Sequence, residues 1–373
     1  MSILSSLNID MIRNVISKYF LVKDMASFVD YVEAVVVPKG GLRRCFNELY
    51  AELTSKFVYP MLFRSGDEYR IRIQAGKVSK RRIRLQTILF IATVVTTVIT
   101  AYFWVTQYFS FLSSNLGVTY SMLDIILSII LFVFGVLVPL GLHELGHWLI
   151  SRRVRVPVSL PYFIPAPPVI SLGTFGAVIN MRFLPPTLDE LALIGVSGPL
   201  FGIIFSSVTS ALGLYLSQPV EVGVLEELAK AGKVELINFS TPLFTLIFRA
   251  MWGDTPVLLH PIAQVGLLLF IIHFLNLLPI GQLDGGHVVR SVTSMKVHYL
   301  IGISVAILGI LSVFIIRSFI TQLISIFSLL ALLLSGFRPH LGCANQVTKP
   351  SPKAYIALAL YLILLALTFP IVE

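Results

Sequence analysis

Seven long apolar stretches restrict this chain of 373 residues to a fold built within a membrane. A helix needs about 20 apolar residues to cross a bilayer, and backbone polar groups in hydrocarbon must be satisfied within the protein. Only Arg317 and Ser318 separate the fifth and sixth stretches, which could instead form a hairpin of shorter spans. The predicted spans are Thr87–Phe109, Asp124–Ile150, Leu188–Leu216, Leu258–Leu278, His298–Ile316, Phe319–Phe337 and Ala354–Ile371.

The composition excludes a soluble enzyme. Charged residues make up 13% of the chain and hydrophobic residues 56%, whereas an average soluble domain is about 25% charged. Two cysteines, Cys45 and Cys343, exclude a disulfide-rich scaffold and a cysteine-based zinc cluster. Of the 28 Lys and Arg residues, 15 lie in residues 1–86, so the positive charge indicates cytoplasmic segments beside a membrane, and we expect no nucleic-acid partner.

Residues 1–86 are predicted to form a small cytoplasmic α/β domain that ends in a basic flank. An amphipathic helix is expected within the first twenty residues, packed on its own domain or resting on lipid. A helix over Leu42–Met61 and a strand over Glu68–Ile73 follow. The run Lys77–Gln86 is typical of the cytoplasmic flank of a membrane span. The predicted fold class is therefore an all-α polytopic membrane protein of about six to seven spans with a short β-like membrane-associated segment.

The loop charges predict the orientation of the chain. If the spans alternate, several basic loops fall on one side, and the 217–257 loop with its carboxylates falls on the other. Positive loops belong inside, so we expect a cytoplasmic amino terminus. The sequence shows no secretory signal pattern or transit peptide, and a multi-pass protein of a prokaryotic cell membrane is the simplest expectation. After residues 1–86, the predicted units are a core over 87–290 and carboxyl-terminal transmembrane helices over 291–373.

The second predicted span contains the sequence His143-Glu144-Leu145-Gly146-His147. Residues i and i+4 of a helix share one face, so both imidazoles can bind one metal ion. Glu144 lies about 100° around the helix, near enough to reach a metal-bound water. Ionisable groups inside a span are costly and indicate function; a polar helix end that reaches for the interface is the alternative.

A third metal ligand must come from another segment, because catalytic zinc takes three protein ligands and leaves one position for water. Asp124 lies at the outer end of its span, and a helix amino terminus already explains Asp189 and Glu190. Asp284 remains, at the end of the fourth span and at a depth similar to that of the histidines. Nearby proline and glycine residues break the helix there. An Asp in a glycine-rich interfacial turn is an equally good explanation of this segment alone.

The stretch Val156–Phe183 is apolar but unsuited to a helix, because it contains five prolines up to Pro168. A β-like run over Thr174–Met181 follows. Non-helical backbone at membrane depth survives only where it is buried in protein or lines a wet cavity. This segment is therefore a predicted wall of a polar site.

Together these motifs resemble the site-2 protease family of intramembrane zinc metalloproteases. The resemblance rests on HELGH in one span and on NLLPIGQLDGG, from Asn276 to Gly286, in a later one. The segment Gly173–Met181 and the sequence Ser197-Gly198-Pro199 also resemble the family, notably its archaeal and plastid-type members. The resemblance covers roughly residues 87–290. One departure is Gly202, where many members have Asn, so a substrate-gating role at that position is not carried over.

The resemblance implies one zinc ion held by His143, His147 and Asp284, with Glu144 as the general base. It also implies single-pass membrane proteins as substrates, cut within or near their span in the bilayer. Asn276 is a candidate hydrogen-bond donor to the oxyanion, and a buried Asn bonded to neighbouring backbone is an equal alternative.

A substrate helix must unwind before cleavage, because a peptide bond inside a helix is shielded from attack. The β-like segment could pair with the unwound stretch by strand addition. The candidate substrate-binding residues are Gly173, Thr174, Phe175 and Gly176.

Other polar residues allow weaker predictions. His273 could face the site, although a core histidine between helices is favoured, and His287 could either orient Asp284 or line the site. His260 lies too far from the predicted metal depth. Glycines 195, 198 and 202 are interpreted as helix-packing residues. Two alternatives to a protease remain: a catalytically silent relative that binds membrane proteins, and a transporter that relays ions through His and Asp.

Overall fold

The computed structural model describes residues 9–75, 83–168, 171–234 and 239–372, and it is mostly helical. The first eight residues and part of the basic run Lys77–Gln86 lie outside this range. The helices are α1 Ile9–Tyr19, α2 Leu42–Thr54, α3 Ile83–Leu116, α4 Met122–Arg153, α5 Leu188–Tyr215, α6 Val222–Lys230, α7 Pro242–Trp252, α8 Pro261–Asn276, α9 Asp284–Val292, α10 Met295–Ile315, α11 Phe319–Ser335 and α12 Pro352–Thr368. The strands are β1 Phe20–Ser27, β2 Val32–Pro38, β3 Val58–Ser65, β4 Glu68–Ala75, β5 Tyr162–Pro165, β6 Thr174–Val178, β7 Gln218–Pro219, β8 Phe239–Ser240, β9 Val257–Leu258 and β10 Ile371–Val372.

The amino-terminal segment forms a four-stranded antiparallel sheet in the order β1-β2-β4-β3, with α1 and α2 packed on it. Ile12, Val15 and Ile16 of α1 are buried in this core. The amphipathic helix therefore packs on the amino-terminal sheet and does not direct these side chains to lipid.

One boundary predicted from the sequence is wrong. The helix predicted over Leu42–Met61 ends at Thr54, and Pro60 lies in β3. Proline has no N–H to donate within a helix interior. Strand β3 is an edge strand with β4 on one side only, and an edge strand tolerates proline. The predicted strand over Glu68–Ile73 is confirmed as β4.

Four helices of the described chain, α3, α4, α5 and α10, are long and apolar enough to cross a membrane. They overlap the first, second, third and fifth predicted spans. The fourth, sixth and seventh predicted spans correspond to the shorter helices α8, α11 and α12, of 16 or 17 residues. At 1.5 Å per residue these helices measure about 24–26 Å, less than a hydrocarbon core of about 30 Å.

Helix α5 occupies the centre of the helical region and packs against α4, α7, α8, α9 and α12. Helix α8 joins two apolar cores, one shared with α3 and α4 and one with α10 and α11. Helices α10 and α11 pack on each other across a connection of three residues, so the fifth and sixth predicted spans form a hairpin.

The proline-rich stretch before α5 is a β-hairpin in which β5 and β6 pair antiparallel. The bridge between Val158 and Met181 extends the hairpin beyond these strands. Gly173 packs so closely on α3 that an added Cβ would lie 2.5 Å from Thr97 Cα, and Thr96 Oγ1 donates to Gly173 O at 2.6 Å. The β-like character predicted for Thr174–Met181 is confirmed for Thr174–Val178, which forms β6, and for Met181, which forms the bridge to Val158.

The connection between α11 and α12, residues 336–351, is called the α11–α12 loop. It lies along the free edge of β3: Leu62 N donates to Ala344 O and Gln346 N donates to Leu62 O, each at 2.9 Å. Ala344 N also donates to Pro185 O at 2.8 Å, just before α5. The loop therefore joins the amino-terminal sheet to the helical region.

Candidate metal centre

Helix α4 presents two imidazoles on one face near its carboxyl-terminal end. The Nε2 atoms of His143 and His147 lie 3.2 Å apart, and both side chains are buried. The spacing follows from the helix, because residues four apart are neighbours on its surface. Both lone pairs can therefore point at a single ion.

Asp284 brings a carboxylate to the same point. Its Oδ2 lies 3.1 Å from His143 Nε2, and its Oδ1 lies 3.1 Å from His147 Nε2. One ligand atom from each of the three residues lies within 4.8 Å of the others. Two imidazoles and a carboxylate form a donor set used by catalytic zinc sites, and the described residues therefore fit a zinc ion.

The backbone before Asp284 explains how the carboxylate reaches the histidines. Helix α8 ends at Asn276, and Gly281 has a φ of +53°, a conformation that favours glycine. Gly285 passes so close to the end of α8 that an added Cβ would lie 1.9 Å from Leu277 O. The glycines thus let the chain fold back so that α9 begins beside α4.

Glu144 lies next to the three ligands, with its Oε1 3.9 Å from His143 Nε2. Its side chain is buried, and strand β6 packs against helix α4, which carries it. A general base must lie within reach of the group that it deprotonates. Glu144 has this position, and the β5–β6 hairpin forms one wall beside it.

Groups behind the histidines orient their rings. His147 Nδ1 lies 2.7 Å from Ile194 O; because a carbonyl only accepts, Nδ1 carries the proton and Nε2 keeps its lone pair for a metal. His273 is buried, and its ring stacks on that of His143 with centroids 5.2 Å apart. Its Nε2 lies 3.1 Å from Ser206 Oγ. His273 is therefore both a core histidine and a neighbour of a ligand.

Glycines on α5 provide the room for these rings. An added Cβ on Gly198 would lie 2.1 Å from His147 Nε2, and one on Gly202 would lie 2.4 Å from His273 Cε1. One on Gly195 would lie 2.9 Å from Asp284 O. The predicted packing role of these glycines is thus to let α5 approach the metal-ligand residues and His273 closely.

The residues predicted to bind substrate line the hairpin wall. Gly173 precedes β6, Thr174 is buried, and Phe175 is 69% exposed. Thr174 Oγ1 donates to Ile164 O at 2.9 Å and fixes the start of β6. Gly176 has a φ of +101° and open space above it.

Asn276 is the last residue of α8, and its side chain is half-buried. Among the described residues the Asn276 side chain makes no hydrogen bond. The alternative interpretation, a buried Asn bonded to neighbouring backbone, is therefore not supported by the described residues.

Two histidines lie apart from the three ligands. His287 bonds to His340, with their Nδ1 and Nε2 atoms 2.7 Å apart, and makes no hydrogen bond to the Asp284 carboxylate in the described chain. His260 caps α8 at its amino terminus and contacts Ser128. His260 is thus remote from the site, as expected.

Sequence reasoning missed the environment of Asp189. This carboxylate is buried, pairs with Arg43 of α2, and accepts bonds from Ser351 N at 2.8 Å and Ser351 Oγ at 2.7 Å. Its position at a helix amino terminus therefore explains only part of its role. The partners lie far away in sequence, and no local signal identifies them.

Comparisons with known proteins identify the family and several relatives of the chain. Residues 131–316 match the family model of peptidase family M50. The chain is 30% identical over 241 residues to the probable zinc metalloprotease EGY1, chloroplastic, of Arabidopsis thaliana, covering 63% of this chain and 42% of the relative. It is 28% identical over 232 residues to the probable zinc metalloprotease EGY2, chloroplastic, of the same plant, covering 61% and 39%.

A rice relative, the probable zinc metalloprotease EGY1, chloroplastic, of Oryza sativa subsp. japonica, is 34% identical over 159 residues, which cover 42% of this chain and 27% of the relative. The chain thus spans about two fifths or less of the length of these curated relatives. No solved structure matches the chain. The chain belongs to peptidase family M50, the site-2 protease family, as its motifs, its match to the family model and these relatives together show.

Proposed function

We propose that this chain is an intramembrane zinc metalloendopeptidase that cleaves the transmembrane segments of single-pass membrane proteins, with one zinc ion per chain. The observation that carries the proposal is the convergence of His143, His147 and Asp284 from two helices, with Glu144 beside them. These side chains lie among apolar helices long enough to cross a membrane. The relatives are named as probable zinc metalloproteases, which supports the same activity.

The chemistry divides among few residues. Zinc bound by the two imidazoles and the carboxylate would act as a Lewis acid and lower the pKa of a water ligand towards about 7. Glu144 takes a proton from the attacking water and later delivers it to the leaving amine. Its burial excludes bulk water as a competing proton acceptor.

Asn276 is the proposed donor to the developing oxyanion. Its amide is free of side-chain hydrogen bonds in the described chain, and a donor reserved for the transition state needs this freedom. Asn276 also lies one helical turn after His273, whose ring stacks on His143. Replacement by Leu should lower kcat about 100-fold, as for other oxyanion donors, while zinc remains bound.

The substrate-binding proposal concerns Gly173, Thr174, Phe175 and Gly176. Strand β6 pairs with β5 alone among the described strands, so an unwound substrate can add to its other edge. Strand β6 packs against α4, the helix that carries Glu144, which would bring an added strand near the base. We expect Thr174→Pro and Phe175→Pro to lower cleavage with zinc content unchanged, and unchanged turnover would contradict this placement.

The position in the membrane is also part of the proposal. The basic loops favour a cell-membrane protein with a cytoplasmic amino terminus. The proposed units are an amino-terminal domain and flank over 1–86, a protease core over 87–290 and carboxyl-terminal helices over 291–373.

Zinc content tests the proposal without a known substrate. The wild-type chain, His143→Ala and Asp284→Ala would be purified in detergent without chelators, and zinc per chain measured. About one zinc in the wild type, lost in both variants, is the expected result. Zinc that is absent from the wild type, or is unaffected by Asp284→Ala, would contradict the assigned ligand set.

Cleavage then separates the protease from its two alternatives. The probe is a labelled apolar peptide of membrane-spanning length with a central Gly-Pro break, and the matched control is Glu144→Gln, which keeps the volume but removes the base. Cleavage by the wild type alone supports the protease. Zinc binding without cleavage would favour a silent relative, and ion flux in sealed vesicles that survives Glu144→Gln would favour a transporter.

A further inference from the structure

The α11–α12 loop holds helix α9, which begins with Asp284, at two points. His340 Nε2 and His287 Nδ1 lie 2.7 Å apart, and Arg290 Nε donates to His340 O at 3.0 Å. His287 and Arg290 lie three and six residues after Asp284, on the same short helix. We propose that His340 is a positioning residue that fixes Asp284 as the third metal ligand by holding α9. This inference rests on the proposed function, because it requires Asp284 to bind the metal.

The direction of the His340–His287 bond follows from the loop backbone. Gly342 N donates to His340 Nδ1 at 2.9 Å, so that nitrogen carries no proton. Burial lowers the pKa of His340 and keeps the ring neutral at pH 7. The single proton therefore lies on Nε2, which donates to His287 Nδ1. The loop turn and the contact with α9 thus use opposite sides of one imidazole.

Helix α9 depends on such external contacts because it is short. It contains nine residues and begins directly after an irregular turn. Helix α5 supports one side, where Gly195 allows Asp284 O and His287 Cβ to approach closely. In the described chain, the Asp284 carboxylate contacts only the two imidazoles at hydrogen-bond distance. The placement of the carboxylate therefore follows the placement of α9.

The loop is in turn fixed to the amino-terminal sheet. Leu62 of β3 pairs with Ala344 and Gln346 on either side of Asn345. Asp189 connects Arg43 of α2 with Ser351 at the end of the loop. A continuous set of contacts therefore leads from the amino-terminal domain through His340 to Asp284. This gives the domain a role in the metal site that its distance in sequence conceals.

Two substitutions of His340 separate positioning from mere structure. In His340→Gln the side-chain amide can still donate to His287. In His340→Asn the side-chain oxygen can still accept from Gly342 N, but the side chain is too short for its amide nitrogen to reach His287. We expect His340→Asn to weaken zinc affinity about tenfold, because it leaves the buried Nδ1 of His287 without its donor and releases α9 at one of its two contacts with the loop. We expect His340→Gln to stay within about threefold of the wild type.

The measurement is competition with a chelator on the full chain in detergent, together with the visible spectrum of the cobalt-loaded protein, which reports ligand geometry. Gln346→Ala is the matched control, because this exposed side chain lies on the same loop and only its backbone bonds to Leu62. We expect this variant to keep wild-type affinity and spectrum.

Equal weakening by Gln and Asn, or wild-type affinity in His340→Asn, would overturn the proposal. If His340→Asn does not fold, His287→Phe offers the same test, because it fills the ring space and removes the acceptor on α9; unchanged zinc affinity there would also overturn it. Asp284→Ala run in parallel separates the two failures: unchanged zinc in that variant contradicts the ligand set, whereas lost zinc there with intact binding in the His340 variants contradicts the positioning role.

Discussion

The two halves of the metal site are built in opposite ways. His143 and His147 share one helix of 32 residues, so helical geometry alone sets their spacing. Asp284 begins a helix of nine residues, and its position depends on the end of α8, on α5 and on the α11–α12 loop. Five consecutive residues, His143 to His147, are sufficient to form the first half. The second is a product of assembly, and substitutions that touch no ligand should damage it.

The largest effect is expected from Gly285→Ala. The new Cβ would lie 1.9 Å from Leu277 O, and a backbone atom cannot move aside as a side chain can. Overpacking costs about 1–3 kcal/mol or more, so α9 should shift and zinc affinity should fall about 100-fold. Chelator competition measures this. Gly223→Ala, where the added methyl meets open space, is the control, and equal zinc affinity in the two variants would contradict the dependence on assembly.

Gly198→Ala tests whether the α4 half is as independent as its spacing indicates. The added Cβ would lie 2.1 Å from His147 Nε2, so the imidazole must rotate away from the metal. We expect zinc affinity to fall at least about tenfold, with the circular dichroism of the helices unchanged because only a side chain moves. If affinity remains at the wild-type level, the α4 half needs no support from α5.

A smaller effect is expected from Gly202→Ala, because its Cβ would press mainly on His273, at 2.4 Å from Cε1. The clash should push the stacked ring against His143 and weaken zinc binding about three- to tenfold. The double variant Gly202→Ala, His273→Ala removes the clash and should recover part of the loss. Additive losses in this double-mutant cycle would show that the two residues act separately.

The smallest effect on zinc is expected from Arg43→Ala, which removes the ion pair between α2 and buried Asp189. A buried carboxylate left without its cation costs about 3–5 kcal/mol, lessened here by the two bonds from Ser351, so opening of the α11–α12 loop should rise at least about tenfold while zinc affinity changes little. Cys343 reports the opening: burial raises the pKa of its thiol to about 12, and the closed loop should not react at pH 8.

The measurement is the rate of thiol labelling in a Cys45→Ser background, which leaves one thiol. Lys18→Ala breaks an exposed pair with Glu52 beside the same sheet and should label at the background rate. Labelling of Arg43→Ala at that same rate would mean that the pair does not hold the loop.

Sequence reasoning succeeded where the information is local. Periodicity and length identified the long helices, the i, i+4 spacing identified the histidine pair, and the prolines before Thr174 identified a segment that is not helical. It failed at Met61, which was predicted as the end of a helix but lies in β3. Pro60 is incompatible with a helix interior, and pairing with the sheet favours a strand. Sequence reasoning also gave helices such as α8 longer bounds than the structure has, because hydropathy does not reveal where a turn begins.

The contacts of Asp189 and His340 mark the limit of such reasoning. Asp189 bonds to residues 146 positions before it and 162 positions after it. His340 bonds to a residue 53 positions away. A single sequence does not encode these pairings in any local pattern, because they arise only when the amino-terminal sheet, α9 and the loop have been brought together.

Because Ala344 is fully buried in the core of the amino-terminal sheet, that sheet includes a piece of chain made long after the rest of it. Leu62 and its partner Ala344 are about 280 residues apart, so at about 5–20 residues per second the ribosome needs about 14–56 s to supply the missing piece. During this interval the edge of β3 is open while the long helices enter the membrane. The amino-terminal sheet, whose own four strands precede the long helices in the chain, is thus among the last parts of the described structure to be finished.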